Sequence, residues 1–188
     1  MRLILASQSP YRKYAMELLG LDYDTIPADI DEKSIRHDNP QVMVERISEA
    51  KALSVAEKHK DALIIASDAV VSSNGKILEK PQDKNQAFEM LSYLSNNRFE
   101  FITGLVVYNA FTNEKLATVT SCEIKFRSLS DFEINKYITD YPAVNCAGAF
   151  EHHGLLFFSE YIKGSYNFRT AIPVAELVLF LRKQGVQI

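Results

Sequence analysis

Leu3-Ile4-Leu5-Ala6-Ser7-Gln8-Ser9-Pro10-Tyr11-Arg12-Lys13 is the stretch that decides the fold class. Its four leading apolar residues read as a short buried strand, which Ser7-Gln8-Ser9-Pro10 interrupts. Ser9 has the chemistry of an N-cap and Pro10 suits the first helical position. A helix should follow through Tyr14, Leu18 and Leu19, and Gly20 should end it. Strand, polar loop and helix in immediate succession point to an α/β protein.

The alternation continues outward. Tyr23 to Ile30 reads as extended and runs into the acidic Asp29-Ile30-Asp31-Glu32. Asn39-Pro40 opens a longer helix with Met43, Ile47, Ala50 and Leu53 at helical spacing. Ala62-Leu63-Ile64-Ile65-Ala66 is apolar on both faces, as a central strand should be, and is expected to stop at Ser67-Asp68. Asn74-Gly75 between Val70-Val71 and Ile77-Leu78 signals a hairpin. A helix follows around Ala87, Leu91 and Leu94. Phe99 to Tyr108 and Lys115 to Phe126 read as two long strands around Thr112-Asn113. Ser130-Asp131-Phe132-Glu133 is a capping box that opens a helix to about Thr139. Gly148 to Phe158 reads as loop and strand, Pro173 starts a last helix, and Gly185 ends it. The expected fold is α/β, a mixed twisted sheet flanked by helices.

At 188 residues the chain has room for one core or two tightly joined lobes, so a single domain over 1–188 is expected. Apolar residues at 47% and charged residues at 24% are ordinary for a soluble globular protein. A net charge of −3 argues against general affinity for nucleic-acid backbone. Met1-Arg2 leads into too few apolar residues for a secretory signal. No apolar run approaches the ~20 residues that span a bilayer, so no membrane partner is expected. Cys122 and Cys146 are the only cysteines, and a reducing cytoplasm without a structural disulfide is the expected setting. Zinc needs clustered soft ligands, and neither the two distant cysteines nor His152-His153 supplies a convincing set.

Several segments carry candidate chemistry. The helix start at Pro10 offers unpaired N–H groups and a positive dipole end, which favour a phosphate. Arg12 and Lys13 add full charges there, and Arg12 can bind an anion in two-pronged fashion. The glycines of a Walker loop are absent, and an ordinary capped helix with a solvated basic turn is the alternative. Asp68 follows an apolar strand at the kind of place where open α/β sheets bind ligands. It could hold a metal or take a proton from water; a turn-forming aspartate is the competing explanation. Asp29, Asp31 and Glu32 could hold Mg²⁺ through oxygen or simply face water. Lys51 lies on the helix from Pro40, and Lys80 is pinned by Pro81. Each lysine alone would pass for a surface residue. Together these cations and carboxylates form the set that phosphoryl transfer needs.

The order of these pieces resembles the Maf family of nucleoside triphosphate pyrophosphatases over nearly the whole chain. Residues Leu3 to Lys13 are similar to the family's opening Leu-Ala-Ser-x-Ser-Pro-x-Arg motif. Asp31-Glu32 resembles its acidic pair, Ala50-Lys51-Ala52 its helical lysine, Ser67-Asp68-Ala69-Val70-Val71 its aspartate motif, and Glu79-Lys80-Pro81 its Gly-Lys-Pro. Thr103-Gly104, Cys146-Ala147-Gly148 and Ile162-Lys163-Gly164-Ser165-Tyr166 follow in the family's order. The resemblance implies two lobes around a deep cleft, as in inosine-triphosphatase-like proteins, a divalent metal (Mg²⁺ or Mn²⁺), and frequent homodimers. It implies a nucleoside triphosphate substrate cut to monophosphate and pyrophosphate. Asp68 corresponds to the proton acceptor, Ser7, Arg12, Lys13, Lys51 and Lys80 to phosphate-handling positions, and Glu32, with Asp68, to the metal position.

Phe126-Arg127-Ser128-Leu129-Ser130 and Asn145-Cys146-Ala147-Gly148-Ala149-Phe150 are most similar to the branch acting on 7-methyl-GTP. The dTTP and UTP branch usually has Lys-Ala-Gly-Ala-Tyr there. Three positions linked to base choice depart from both branches: Tyr11 stands for Trp or Arg, Ala69 for Gln or Thr, and His153 for Glu or Gln. Thr170-Ala171-Ile172-Pro173 departs from the usual Val-Gly-Leu-Pro. The rival functions are a dTTP/UTP pyrophosphatase, a nucleotide-binding regulator without turnover, and an RNA-binding module. The acidic balance speaks against the RNA binder, and the carboxylates beside two lysines speak against the regulator.

Overall fold

A computed structural model describes residues 1–188, and the N-terminal stretch folds in it as strand, loop and helix. β1 (Arg2–Leu5) buries Leu3, Ile4 and Leu5. α1 (Pro10–Leu18) begins at a proline because its fixed φ suits the first turn and its missing N–H needs no partner there. Gly20, at φ 64, takes the left-handed conformation that turns the chain away. β2 (Asp24–Thr25) is all that forms of the extended segment expected from Tyr23 to Ile30. α2 (Pro40–Ala56) is opened by Asn39, whose Oδ1 accepts from the Gln41 and Val42 N–H groups at 2.8 and 3.4 Å.

β3 (Ala62–Ser73) corrects the sequence reading: it does not stop at Ser67-Asp68 but runs on for the full twelve residues. Both polar side chains find partners without leaving the strand, so nothing forces a turn there. Asn74 and Gly75 have φ of 49 and 77, the pair of left-handed residues a tight hairpin requires, and lead into β4 (Lys76–Leu78). α3 (Lys84–Leu94), β5 (Arg98–Asn109) and β6 (Glu114–Phe126) lie where the pattern places them. α4 (Asp131–Asp140) carries both hydrogen bonds of the Ser130–Glu133 capping box. Residues 148–158 are the second correction. A 3₁₀ turn (Ala147–Ala149) and then α5 (His152–Phe158) occupy them, and the strand, β7 (Ser159–Gly164), comes only afterwards. Leu155 and Phe158 point inward at helical spacing, and Gly154 lets this helix dock, since a Cβ there would lie 2.7 Å from Tyr137 Oη. α6 (Val174–Lys183) closes the chain, with Gly185 at φ 81 beyond it.

The strands form one mixed sheet in the order β2-β1-β3-β5-β6-β7, with β4 paired on β3. β1 runs parallel to β2 and β3, whereas β4 and β7 pair antiparallel to β3 and β6. The chain divides into two compact units. The first holds Met1–Asp68, Thr103–Thr120 and Thr170–Ile188; the second holds Ala69–Ile102 and Ser121–Arg169.

Strand alternation builds the core of the first unit. Leu3, Leu5, Leu63 and Ile65 face Ala15 and Met16 of α1 and Leu177 and Leu181 of α6. Ile4, Ala6, Ile64 and Ala66 face the other way, onto Ala52 and Val55 of α2. Helices on both faces explain why the strands are apolar throughout. The second unit is centred on aromatic rings: Phe126 meets Phe99 edge-on at 4.7 Å and Phe158 at 5.6 Å, and Tyr137 meets Phe158 at 5.0 Å. No helix is long and apolar enough to cross a membrane.

Candidate active site

The loop after β1 is held beside β3, because the Ala6 N–H donates to the Ile65 carbonyl at 2.8 Å. Ser7, buried in this loop, accepts from the Ser9 N–H and from Arg12 Nη1, both at 3.2 Å. Ser9 occupies the N-cap of α1 as expected, yet its own hydroxyl makes no cap bond. Arg12 then reaches inward: Nε donates to the Ala171 carbonyl at 3.3 Å, and Nη2 lies 3.8 Å from Asp68 Oδ1. Burial pulls the Arg12 guanidinium below its ordinary pKa, and Asp68 and then Glu32 push it back up.

Lys51 arrives from the other side of the sheet. α2 approaches β5 closely because Gly104 has no side chain; a Cβ there would sit 2.7 Å from the Val44 carbonyl oxygen. About two turns further along α2, Lys51 places Nζ 2.8 Å from Asp68 Oδ1 and 3.0 Å from Glu32 Oε2. Lys51 and Asp68 are only 5% and 8% exposed, so their charges have little water to lean on. Glu32 is exposed, on a 3₁₀ turn (Glu32–Ser34) that Asp31 caps by accepting from the Lys33 N–H at 3.1 Å. Ser67, the neighbour of Asp68, has its hydroxyl 2.6 Å from the Gly104 carbonyl and 2.8 Å from that of Ala171.

The structure thus gathers Ser7, Arg12, Glu32, Lys51 and Asp68 around one point of the first unit, two cations against two carboxylates. Such a cluster can exchange its internal ion pairs for a polyanion, and the exchange leaves the buried Asp68 carboxylate in need of a proton or another cation. Asp68 and Glu32 converge on a single ammonium, and a carboxylate pair that grips one cation is a donor set that also fits a hard divalent ion.

The other expected residues stand as follows. Tyr11 and Lys13 are half-buried in the first turn of α1, where the Lys13 carbonyl accepts from Tyr23 Oη at 3.4 Å. Lys80, Ala69 and His153 belong to the second unit. Lys80 is exposed ahead of buried Pro81, and Ala69 is half-buried in β3. His153 stands in the first turn of α5, its Nδ1 paired with Glu151 Oε1. Burial, then His153, hold the neighbouring His152 below its ordinary pKa.

Three residues were not picked out by the sequence pattern: Ser67 and Ala171, which bond within this cluster, and Glu151, which pairs with His153 in the second unit. Ser67 looked like a strand terminator. Ala171 adopts a left-handed φ of 50, and its only trace was the departure from Val-Gly-Leu-Pro. Glu151 precedes His152-His153 and had no periodicity to mark it.

The family model described as Maf-like protein matches residues 2–184. The chain is 34% identical over 188 residues to the 7-methyl-GTP pyrophosphatase of Alcanivorax borkumensis, covering 99% of this chain and 95% of that protein. It is 36% identical over 185 residues to the dTTP/UTP pyrophosphatase of Syntrophomonas wolfei, covering 98% of each. Among solved structures, a HAM1 protein from Coxiella burnetii aligns with a TM-score of 0.57 at 12% identity, covering 98% of this chain and 99% of that one. The Staphylococcus aureus Ham1 protein aligns with a TM-score of 0.54 at 16% identity, covering 98% of this chain and 100% of that one. At these identities the likeness to the two structures is one of fold.

Proposed function

This chain belongs to the Maf family, and from that membership we propose that it hydrolyses nucleoside triphosphates between the α and β phosphates. As a nucleotide pyrophosphatase it is a hydrolase acting on acid anhydrides. The observation that carries the reading is Lys51, held between Asp68 and Glu32 with Arg12 alongside. A triphosphate competes with both carboxylates for Lys51 and Arg12. As Lys51 and Arg12 turn to phosphate oxygens, Asp68 Oδ1 is freed to take a proton from water. That water attacks the α-phosphorus, the α–β bridging P–O bond breaks, and pyrophosphate departs as monophosphate forms. Ser7 and Lys13 complete the phosphate contacts of the first unit, and Lys80 is the further phosphate-handling lysine that the family resemblance implies. Catalysis of this kind is positioning and charge stabilisation more than covalent chemistry. Glu32 and Asp68 would hold a Mg²⁺ or Mn²⁺ ion, which supplies charge neutralisation at the phosphates.

The substrate we favour is a modified nucleotide such as 7-methyl-GTP, on the strength of residues 126–130 and 145–150 and of the relative from Alcanivorax borkumensis. A second reading, dTTP or UTP, is supported by the relative from Syntrophomonas wolfei. Tyr11, Ala69 and His153 are the positions expected to decide between them. Chromatography of initial products from a nucleotide panel with Mg²⁺ or Mn²⁺ tests the reaction. Monophosphate and pyrophosphate in equal amounts are expected; diphosphate and inorganic phosphate would overturn it.

A further inference from the structure

The second unit contains a group of side chains that the proposed phosphate contacts and proton transfer do not use, His153 being otherwise linked only to base choice. Glu151, His152 and His153 each offer one donor atom, and these atoms all lie within 4.8 Å of one another. The Glu151 side chain is 7% exposed, a carboxylate almost withdrawn from water. Its Oε1 pairs with His153 Nδ1, while Oε2 lies 3.5 Å from His152 Nδ1. That His152 nitrogen is shut off from solvent and has no hydrogen-bond partner. An unsatisfied buried nitrogen beside a buried carboxylate is costly and calls for a physical reason.

We propose that Glu151, His152 and His153 bind a divalent transition-metal ion, with zinc the best fit. A separation of 3.5 Å is poor for a hydrogen bond. It suits two ligands of one tetrahedral ion: with Zn–N and Zn–O bonds of about 2.0–2.1 Å, neighbouring donors stand roughly 3.4 Å apart. Two imidazoles and a carboxylate form a three-ligand set that leaves a fourth position open. Imidazole donors select zinc, cobalt or nickel over the magnesium that an all-oxygen site prefers.

The scaffold under these donors is fixed. The Glu151 N–H donates to Tyr137 Oη at 3.0 Å, and the tight seat of Gly154 on the same tyrosine pins the backbone of this turn. The Tyr141 ring packs against His153 at 5.1 Å. Helical side chains lean back toward the start of their helix, which is why two adjacent histidines can share the Glu151 carboxylate. His153, 42% exposed, has room to swing from its direct pairing with Glu151 onto a shared ion. Its proton then resides on Nε2 and Nδ1 ligates.

The inference does not depend on the pyrophosphatase reading, because its test measures binding and not turnover. Zn²⁺ alone is titrated into the full chain at neutral pH in competition with a chromophoric chelator. Co²⁺ is then added to separate samples to read the visible absorption of a nitrogen-ligated site. One equivalent of Zn²⁺ is expected in the wild type and equally in Asp68→Asn. His152→Asn and His153→Gln should each weaken binding by at least about tenfold and abolish the Co²⁺ bands. Circular dichroism checks each fold. Should His152→Asn unfold, His153→Gln carries the test, since that side chain is half-exposed. Absence of tight Zn²⁺ binding, binding unchanged by either histidine substitution, or binding lost only in Asp68→Asn would overturn the proposal.

Discussion

Lys51 Nζ stands 2.8 Å from Asp68 Oδ1, and neither side chain is more than about one-tenth exposed. A buried ammonium of this kind has two tasks, to balance the carboxylate and to hold its geometry. Lys51 also reaches Glu32, so it keeps a partner when Asp68 loses its charge. Asp68→Asn is therefore expected to fold and to bind nucleotide through Arg12, Lys13, Lys51 and Lys80. Its kcat should fall by at least ~10²-fold, since the proposed proton acceptor is gone. Turnover near wild type at saturating nucleotide and metal would show that Asp68 has another role.

The same pair separates Lys51 from ordinary surface lysines. Lys51→Ala leaves Asp68 with only Arg12, 3.8 Å away. Removing one partner of a buried pair costs about 3–5 kcal/mol, so both stability and kcat/KM should drop. Lys80→Ala should lower kcat/KM with little loss of stability, because Lys80 is exposed. Lys58 and Lys60, exposed just beyond the end of α2, serve as controls and should change neither. Equal small effects at all four lysines, read from steady-state kinetics and thermal melts, would speak for plain surface residues.

What was legible follows from the range of the interactions involved. Pro10 and Gly20, Asn74-Gly75, and Ser130 with Glu133 act through their own backbone or through neighbours a few residues away, and the sequence displays them directly. Asp68 was misplaced at a strand end because its compensating charge comes from Lys51 on a different element. Propensity places aspartate in a turn; tertiary pairing keeps it within β3. α5 was missed for another reason. Leu156 and Phe157 are exposed between buried Leu155 and Phe158, so four apolar residues in a row give no period to read. Glu151 is invisible for the same cause, since only the fold of that turn aims it at His152 and His153.

Ala171 offers a test of backbone strain. Its φ of 50 lies in the left-handed region, and its carbonyl accepts from Arg12 Nε at 3.3 Å and stands 2.8 Å from the Ser67 hydroxyl. The left-handed conformation costs an alanine roughly 1–2 kcal/mol, which glycine escapes. Glycine loses about 0.4–1 kcal/mol through its freer unfolded chain. Ala171→Gly should therefore gain about 0.5–1 kcal/mol, a rise in Tm of about 1–4 °C for a chain of this size. Ala171→Val should lower Tm, because a branched side chain tolerates this conformation poorly. A fall in Tm for the glycine variant would contradict the strain argument.

The capping box of α4 gives a pH dependence with a defined sign. Arg127, then the Ser130 N–H and hydroxyl, pull the Glu133 carboxyl from its ordinary 4.5 down to about 2. A folded pKa below the unfolded one means the stabilisation is present above about pH 4.5 and is lost as pH falls toward about 2. Glu133→Gln should cost about 1 kcal/mol near neutral pH, within the ordinary range for a cap. In urea melts the gap between wild type and variant should shrink across that acid window. A gap that stays constant from neutral pH to pH 2 would mean that the charge on Glu133 does not contribute.

The last prediction concerns the base. N7-methylation makes guanine cationic, which favours an aromatic face and an acidic partner. At the positions the resemblance links to base choice, Tyr11 would offer a ring, and Ala69 would offer no amide to read the base edge. His153 carries no carboxylate of its own and spends its Nδ1 on buried Glu151. A lost polar contact to a buried base is worth ~1–3 kcal/mol, or roughly ten- to a hundredfold in selectivity. The wild type should turn over 7-methyl-GTP while discriminating only weakly against UTP. His153→Glu places a new carboxylate at this position, and the ratio of kcat/KM for 7-methyl-GTP over UTP should rise by about tenfold. The comparison is made with excess Mg²⁺ in zinc-free buffer, so that an ion held by Glu151 and His152 does not enter the result. A wild-type preference for UTP or dTTP of tenfold or more would reverse the substrate assignment and leave the pyrophosphatase reaction standing, because the roles proposed for Asp68, Lys51 and Arg12 concern the phosphates whichever base is attached.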